Sequence, residues 1–259
     1  MMERITSLQN PRIKALLRLI DKAAERREAG VAVVEGEKEI RLALAGGLAV
    51  REVYYCPALG GIVPPGVGQV IEVSRDVFAK IAYRDDSDGL VAVAAVPERR
   101  LDDLQLGSLP LVMVVTAVEK PGNLGAILRT ADGVGADAVI VCDPRCDPWN
   151  PNVIRASVGT VFTMPLAVAT SDAARAWLTA RGVKTVAATP SADSDLWSAA
   201  ALGGPCAIVV GTEHEGLDDA WMAAADVRVK IPMRGRNDSL NVSVAAAILA
   251  YEALRRRAG

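Results

Sequence analysis

The chain has 259 residues, of which 51% are apolar, 23% charged and 4% aromatic, the balance of an ordinary globular protein of one large or two small domains. A net charge of −2 and a pI near 5.6 exclude nucleic-acid binding by bulk attraction, so any such contact must be local. A single histidine, His214, excludes a histidine-rich metal centre, and Cys56, Cys142, Cys146 and Cys206 lack the spacing of zinc ligands; no metal is expected, and the thiols are expected to be buried.

The start of the chain mixes charges with apolar residues and has no signal-peptide core, and the longest apolar stretch, residues 109–118, is about half a membrane span. A cytoplasmic protein without a membrane partner is expected. In the first predicted helix Lys14, Arg18, Lys22 and Arg26 recur every four residues opposite an apolar stripe of Ile13, Leu16, Leu17 and Ile20. That basic stripe is either a local nucleic-acid contact or a solvated face interleaved with Asp21, Glu25 and Glu28. Next come a short strand (VAVVEG), a helix ending at Gly46-Gly47, the strand REVYYC, a glycine- and proline-rich loop over residues 60–68, the strand VIEVS, the helix DVFAKIAY and the apolar run LVAVAAV. Together they predict a small α/β domain over 1–96. The polar, proline-bounded PERRLDDLQLGSLP then predicts a linker over 97–109.

From residue 110 one grammar repeats. LVMVVTAV, AVIVCD, KTVAATP and AIVVG are near-continuous apolar strands, and NLGAILRTADGVG, SDAARAWLTARG and SVAAAILAYEALRRR are helical. Such runs predict a parallel sheet covered on both faces, in a second domain over 110–259. A dinucleotide-dependent oxidoreductase is excluded, because the glycines of GVGADA close a helix and precede a strand instead of following one. The chain also lacks a phosphate-loop motif and a G-x-S-x-G elbow, and TEHEG lacks the second histidine of H-E-x-x-H. What remains is three segments with glycines and polar side chains just after apolar strands, where open α/β sheets bind their ligands: VVTAVEKPGNLGAILRTADGVGA, IVVGTEHEGL and VKIPMRGRNDSLNVSVAAAILAYE.

At these residues the sequence resembles the SpoU/TrmH family of RNA 2′-O-ribose methyltransferases, within the SPOUT class. The family's motifs P-x-N-x-G-x-x-x-R-T-A, G-[ST]-E-x-x-G-L and I-P-M…S-L-N-V-S-x-A stand here in order at residues 121–131, 211–217 and 231–245. NPRIKAL and VVEGEKEI also resemble the substrate-binding domain often found ahead of the methyltransferase. The chain departs from the family in one place: an acidic residue usually stands directly before the motif's proline, whereas here the order is Glu119-Lys120-Pro121, with Lys120 adding positive charge beside the expected RNA backbone.

The resemblance implies an α/β fold with a deep C-terminal trefoil knot, whose loops hold S-adenosylmethionine. It implies cofactor contacts at Gly211, Ile231 and Leu240, with Met233 and Thr189 lining the pocket, and catalytic roles for Asn123, Arg129, Glu213, Ser239 and Asn241. Family mechanisms make the arginine a base; a guanidinium is effectively always protonated, so Arg129 is expected to position phosphate and stabilise the developing alkoxide, with Asn123 orienting it. RNA contacts are expected from Lys14, Arg18, Lys22, Arg26, Lys120 and Arg155, with Trp149 beside Arg155 either stacking on RNA or anchoring its loop. His214 is assigned no role. A homodimer is expected, because such sites are completed across a two-fold axis and VAAAILAYEAL offers a contact surface. The preferred substrate is large-subunit ribosomal RNA, with transfer RNA as the alternative. The reading from another class is a non-catalytic RNA- or ribosome-binding factor with the same fold, and binding of S-adenosylmethionine discriminates the two.

Overall fold

A computed structural model of the chain describes residues 3–84, 86–212 and 215–258. Its elements up to the middle of the chain are β1 (Glu3–Ile5), α1 (Pro11–Asp21), α2 (Ala23–Ala29), β2 (Val31–Glu35), α3 (Glu37–Ala45), β3 (Val50–Tyr55), β4 (Gln69–Val73), α4 (Arg75–Ile81), β5 (Leu90–Ala95), β6 (Leu111–Thr116) and α5 (Pro121–Gly133). Then follow β7 (Ala138–Cys142), α6 (Pro151–Ala156), α7 (Thr160–Thr163), β8 (Leu166–Ala169), α8 (Ser171–Ala180), β9 (Lys184–Ala188), β10 (Ser194–Asp195), β11 (Cys206–Val210), α9 (Asp219–Ala224), β12 (Val227–Lys230) and α10 (Val242–Arg257). They form two compact units. One holds the residues up to Glu98 together with Asp147–Thr163; the other holds Arg99–Cys146 and the chain from Met164 onward.

The first unit is a mixed sheet in the order β1-β4-β3-β5-β2, with β5 antiparallel to both neighbours. Ile13 and Leu16 of α1 and Val77, Phe78 and Ile81 of α4 pack with Val31, Val33, Tyr54 and Ile71 into one core. The basic stripe does not stay on one helix. The chain leaves the helix at Lys22, where φ is −118° and ψ is 112°, and resumes as α2. This break frees carbonyls at the end of α1, and the Arg26 guanidinium turns inward to donate to those of Leu19 and Ile20. It also donates twice to Asp147 Oδ2, at 2.8 and 3.1 Å, and both side chains are at most 5% exposed. Arg26 is therefore an internal cap and ion-pair partner, which corrects its expected place on an RNA-facing surface. The pair belongs to a wider contact: the helices after Asp147 pack on β2 and α3, so Asp147–Thr163 belongs with the first unit although the sequence pattern puts it inside the second domain.

The sheet of the second unit runs β10-β12-β9-β11-β6-β7-β8 with every pairing parallel, as the apolar runs predict. All residues of β6, β7 and β11 are buried because both faces are covered. On one face Ala174, Trp177, Leu178 and Trp221 from α8 and α9 join Val112, Val114, Ile140 and Val209; α5 and α10, themselves in contact, cover the other. The expected linker is part of this unit: Leu104 is buried in the same core, and the backbone N–H of Gly107 donates to Asp137. Leucines 101, 104 and 106 supply the apolar contacts that its polar composition hid. All four cysteines are buried. Among the described residues no helix is long and apolar enough to cross a membrane.

Candidate active site

The C-terminal ends of the parallel strands in the second unit open on one edge, where the three motif segments lie. Thr189 follows β9, Gly211 follows β11 and Ile231 follows β12. Together with Met233, Ser239 and Leu240 they line a cleft of about 620 Å³, so the five residues expected around a cofactor all border one space. Chain geometry explains the glycines of the second motif. Thr212 and Gly216 exchange backbone hydrogen bonds at 2.9 and 3.2 Å, closing a tight hairpin, and Gly216 takes the left-handed φ of 71° that this turn needs. A Cβ at Gly211 would collide with the Gly216 carbonyl, so the hairpin can fold back on the strand end only with glycine there.

A second cavity of about 140 Å³ adjoins the cleft and shares Gly211, Thr212, Glu215 and Val242 with it. Its other lining residues are Val118, Glu119, Lys120, Asn123 and Arg145. Asn241 ties the two motif helices together. Its Oδ1 accepts from the Ser243 N–H at 3.0 Å, capping α10, while its Nδ2 donates to Asn123 Oδ1 at 3.2 Å in the first turn of α5. Ser239 is exposed, lines the cleft and donates to Asp238 Oδ1 at 3.3 Å.

Arg129 stands apart. It is exposed, borders neither cavity and has no ion pair among the described residues. Six residues along a helix turn a side chain by about 240° and carry it about 9 Å onward, so Asn123 and Arg129 leave α5 in different directions. Within this chain Asn123 accepts a hydrogen bond from Asn241. Glu213 and His214 lie outside the described residues. Of the expected RNA contacts, Lys14, Arg18 and Lys22 in the first unit are exposed, Arg18 lying 3.6 Å from Glu25, as is Arg155 on α6. Lys120 is exposed on the rim of the small cavity. Trp149 stacks on Phe162 with ring centroids 6.2 Å apart, so it anchors its loop.

One site residue that the sequence reading does not single out is Arg145, whose partner is Glu119, the displaced acid before Pro121. Arg145 Nη1 donates to Glu119 Oε1 at 2.5 Å and Nη2 lies 3.9 Å from Glu215. The neighbouring Glu119 carboxylate raises the guanidinium's already high pKa. The loops that bring them together start alike. Ala117, just past β6, has φ of 47°, and Asp143, just past β7, has φ of 45°; each first donates one more ladder bond, to Cys142 and Ala169, and the chain then turns. The strand-end rule that located the three motif segments also covers the loop after AVIVCD, and was the signal available for Arg145. Cys142, beneath that turn, is inert chemically: burial pushes its thiol up to about 12.

Comparison with known proteins bears on the same residues. The SpoU rRNA Methylase family matches residues 110–251, and the MRM3-like substrate binding domain matches residues 10–92. The 23S rRNA (guanosine(2553)-2'-O)-methyltransferase RlmP of Bacillus subtilis (strain 168) is 31% identical over 252 residues, covering 96% of this chain and 98% of that one. The crystal structure of an RNA 2'-O ribose methyltransferase is 42% identical with a TM-score of 0.85, covering 98% of this chain and 99% of the other. That of an AdoMet-bound rRNA methyltransferase from Sinorhizobium meliloti is 30% identical with a TM-score of 0.89, covering 98% of both chains. With its motif segments gathered around one cleft and family-level similarity spanning the second unit, this chain belongs to the SpoU rRNA Methylase family.

Proposed function

We propose that the chain transfers a methyl group from S-adenosylmethionine to a ribose 2′-oxygen of large-subunit ribosomal RNA, in the cytoplasm. The observation that carries this reading is the pair of adjoining spaces: a cleft of cofactor size, within the range of about 300–1,000 Å³ usual for such ligands, and a smaller cavity bordered by charged and amide side chains that shares one wall with it. The cleft fits the cofactor chemically as well. Backbone at Gly211, Ile231 and Leu240 offers hydrogen-bonding groups to an adenosine, and Met233 and Thr189 offer an apolar and a polar wall. When bound, S-adenosylmethionine supplies an electrophilic sulfonium methyl group.

The protein's own task is to bring the 2′-hydroxyl into line and to accommodate its charge as it loses a proton. Asn123 on the small cavity, with Asn241 bonded to it, and Ser239 on the cleft offer neutral donors and acceptors, and Glu213 belongs to this set by its place in the second motif. Arg129 is the cation for the developing alkoxide or the adjacent phosphate. Because it borders neither cavity of its own chain, the reading includes a homodimer in which each Arg129 serves the partner's site. The solvent-facing apolar residues of α10, Val244, Tyr251 and Leu254, support that surface, with Tyr251 close to Gly133 at the far end of the helix that carries Arg129. Threading of the C-terminal segment into a knot belongs to the same reading. Lys14, Arg18, Lys22 and Arg155 are the RNA contacts assigned to the first unit, and Lys120 to the second.

The test is transfer of tritiated methyl from S-adenosylmethionine to an unmodified transcript of large-subunit ribosomal RNA, with the product mapped by resistance of the adjacent phosphodiester to alkali. Calorimetry runs beside it. A protein that folds but takes up no S-adenosylmethionine, while still binding the transcript, would be the non-catalytic RNA-binding factor instead.

A further inference from the structure

A ribose 2′-oxygen lies next to the phosphodiester on the 3′-oxygen, so a pocket that accepts that oxygen must face a phosphate close by. The small cavity stands against the cleft, and its rim carries two cationic side chains, Lys120 and Arg145. Arg145 comes from the loop after β7, outside all three motif segments. Its guanidinium reaches both Glu119, on the loop after β6, and Glu215, on the hairpin after β11, so the loops following three strands meet at one side chain.

We infer that Arg145 holds a backbone phosphate of the acceptor nucleotide, and that Glu119 is its placeholder until RNA arrives. The inference rests on the methyl-transfer reading above. A carboxylate and a phosphate present similar pairs of oxygens to the planar guanidinium fork, so the geometry that binds one is prepared for the other. Exchange is cheap because the pair is open to water: the Arg145 and Glu119 side chains are 54% and 52% exposed. An enclosed pair such as Arg26 and Asp147 could not exchange in this way. The same assignment explains the altered order before Pro121. With the acid one place back, Glu119 reaches Arg145, and Lys120 takes the position beside the proline as the second cation of the rim.

Opposite signs for the two partners test this. Arg145→Ala should weaken binding of the unmodified large-subunit transcript by about ten- to a hundredfold and flatten the slope of log affinity against log salt by roughly 0.8, with S-adenosylmethionine affinity unchanged. Glu119→Gln should bind the transcript as tightly as wild type or more tightly, because it frees the guanidinium. Arg145→Lys should restore the salt slope and only part of the affinity. Equal losses in Arg145→Ala and Glu119→Gln would make the pair a structural clasp, and no loss in Arg145→Ala would remove the phosphate contact; either result overturns the inference alone if the wild type methylates the transcript. A wild type that neither binds S-adenosylmethionine nor transfers methyl overturns the reading beneath it.

Discussion

Replacing Arg26 with alanine separates two roles that the sequence pattern superimposes. As a surface cation, Arg26 would contribute little to folding and about one unit to the salt dependence of RNA binding. In the structure its removal strips Asp147 of two charge-assisted bonds, and the carbonyls of Leu19 and Ile20 of their donor, in a site at most 5% exposed. Removing one member of a buried pair costs about 3–5 kcal/mol, because the remaining charge stays desolvated. In a unit of this size that lowers the melting temperature by about 12–20 °C. Differential scanning calorimetry of the full chain reads this directly. The double replacement Arg26→Met with Asp147→Leu should recover most of the loss, since it leaves no orphan charge. A loss below about 1 kcal/mol together with a flatter salt slope for RNA would refute the buried-cap assignment and return Arg26 to the surface stripe.

Gly211→Ala should fold yet lose S-adenosylmethionine affinity by about tenfold or more, because its methyl group displaces the hairpin that walls the cleft; isothermal calorimetry measures it. Arg129→Ala should leave that affinity unchanged and cut turnover by about a hundredfold or more, and parallel losses of both would make Arg129 structural. The acid limb of stability should carry a signature of Glu252, whose carboxyl is held down to about 2 by hydrogen bonds from Arg255 and Arg256. Its folded value lies below the unfolded one of about 4.3, so this stabilisation is complete above pH 5 and fades as pH falls toward 2. In urea titrations the gap between wild type and Glu252→Gln should therefore close over that window; a gap constant down to pH 2.5 contradicts the assignment.

How far the sequence announces this molecule depends on which force shapes each part. Strands β6, β7, β9 and β11 are legible because a sheet covered on both faces demands uninterrupted apolar runs. Strand β12 is not, since it places only Val229 in the core and alternates it with Arg228 and Lys230; β1 and β10 are edge strands too short for any period to register. The cleft was legible through its motifs, as their glycines answer local backbone needs that residue type reveals. The grouping of Asp147–Thr163 with the first unit was not, because it rests on contacts between residues far apart in sequence: α6 on β2, α7 on α3, and Arg26 with a carboxylate 121 positions away. The charge period of the first helix misled for the same reason: four-residue spacing records what an unbroken helix would display, and the chain breaks at Lys22.

The direction of Arg145 was hidden by a different cause. Ala117 and Asp143 sit in the left-handed region without being glycine, a placement that costs about 1–3 kcal/mol each and that neither residue type signals strongly. In an all-parallel sheet the strand ends point the same way, so side chains just beyond β6 and β7 would otherwise continue outward side by side. A left-handed residue directly after the last ladder bond of each strand turns both loops at matching depth, and two residues later Glu119 and Arg145 meet over the cavity. The sheet's packing sustains that strain, since β6 and β7 are buried throughout and cannot relax without losing their core contacts. A chain of net charge −2 cannot attract RNA as a whole, and fixing a few cations at the mouth of the site is the arrangement that its charge leaves open.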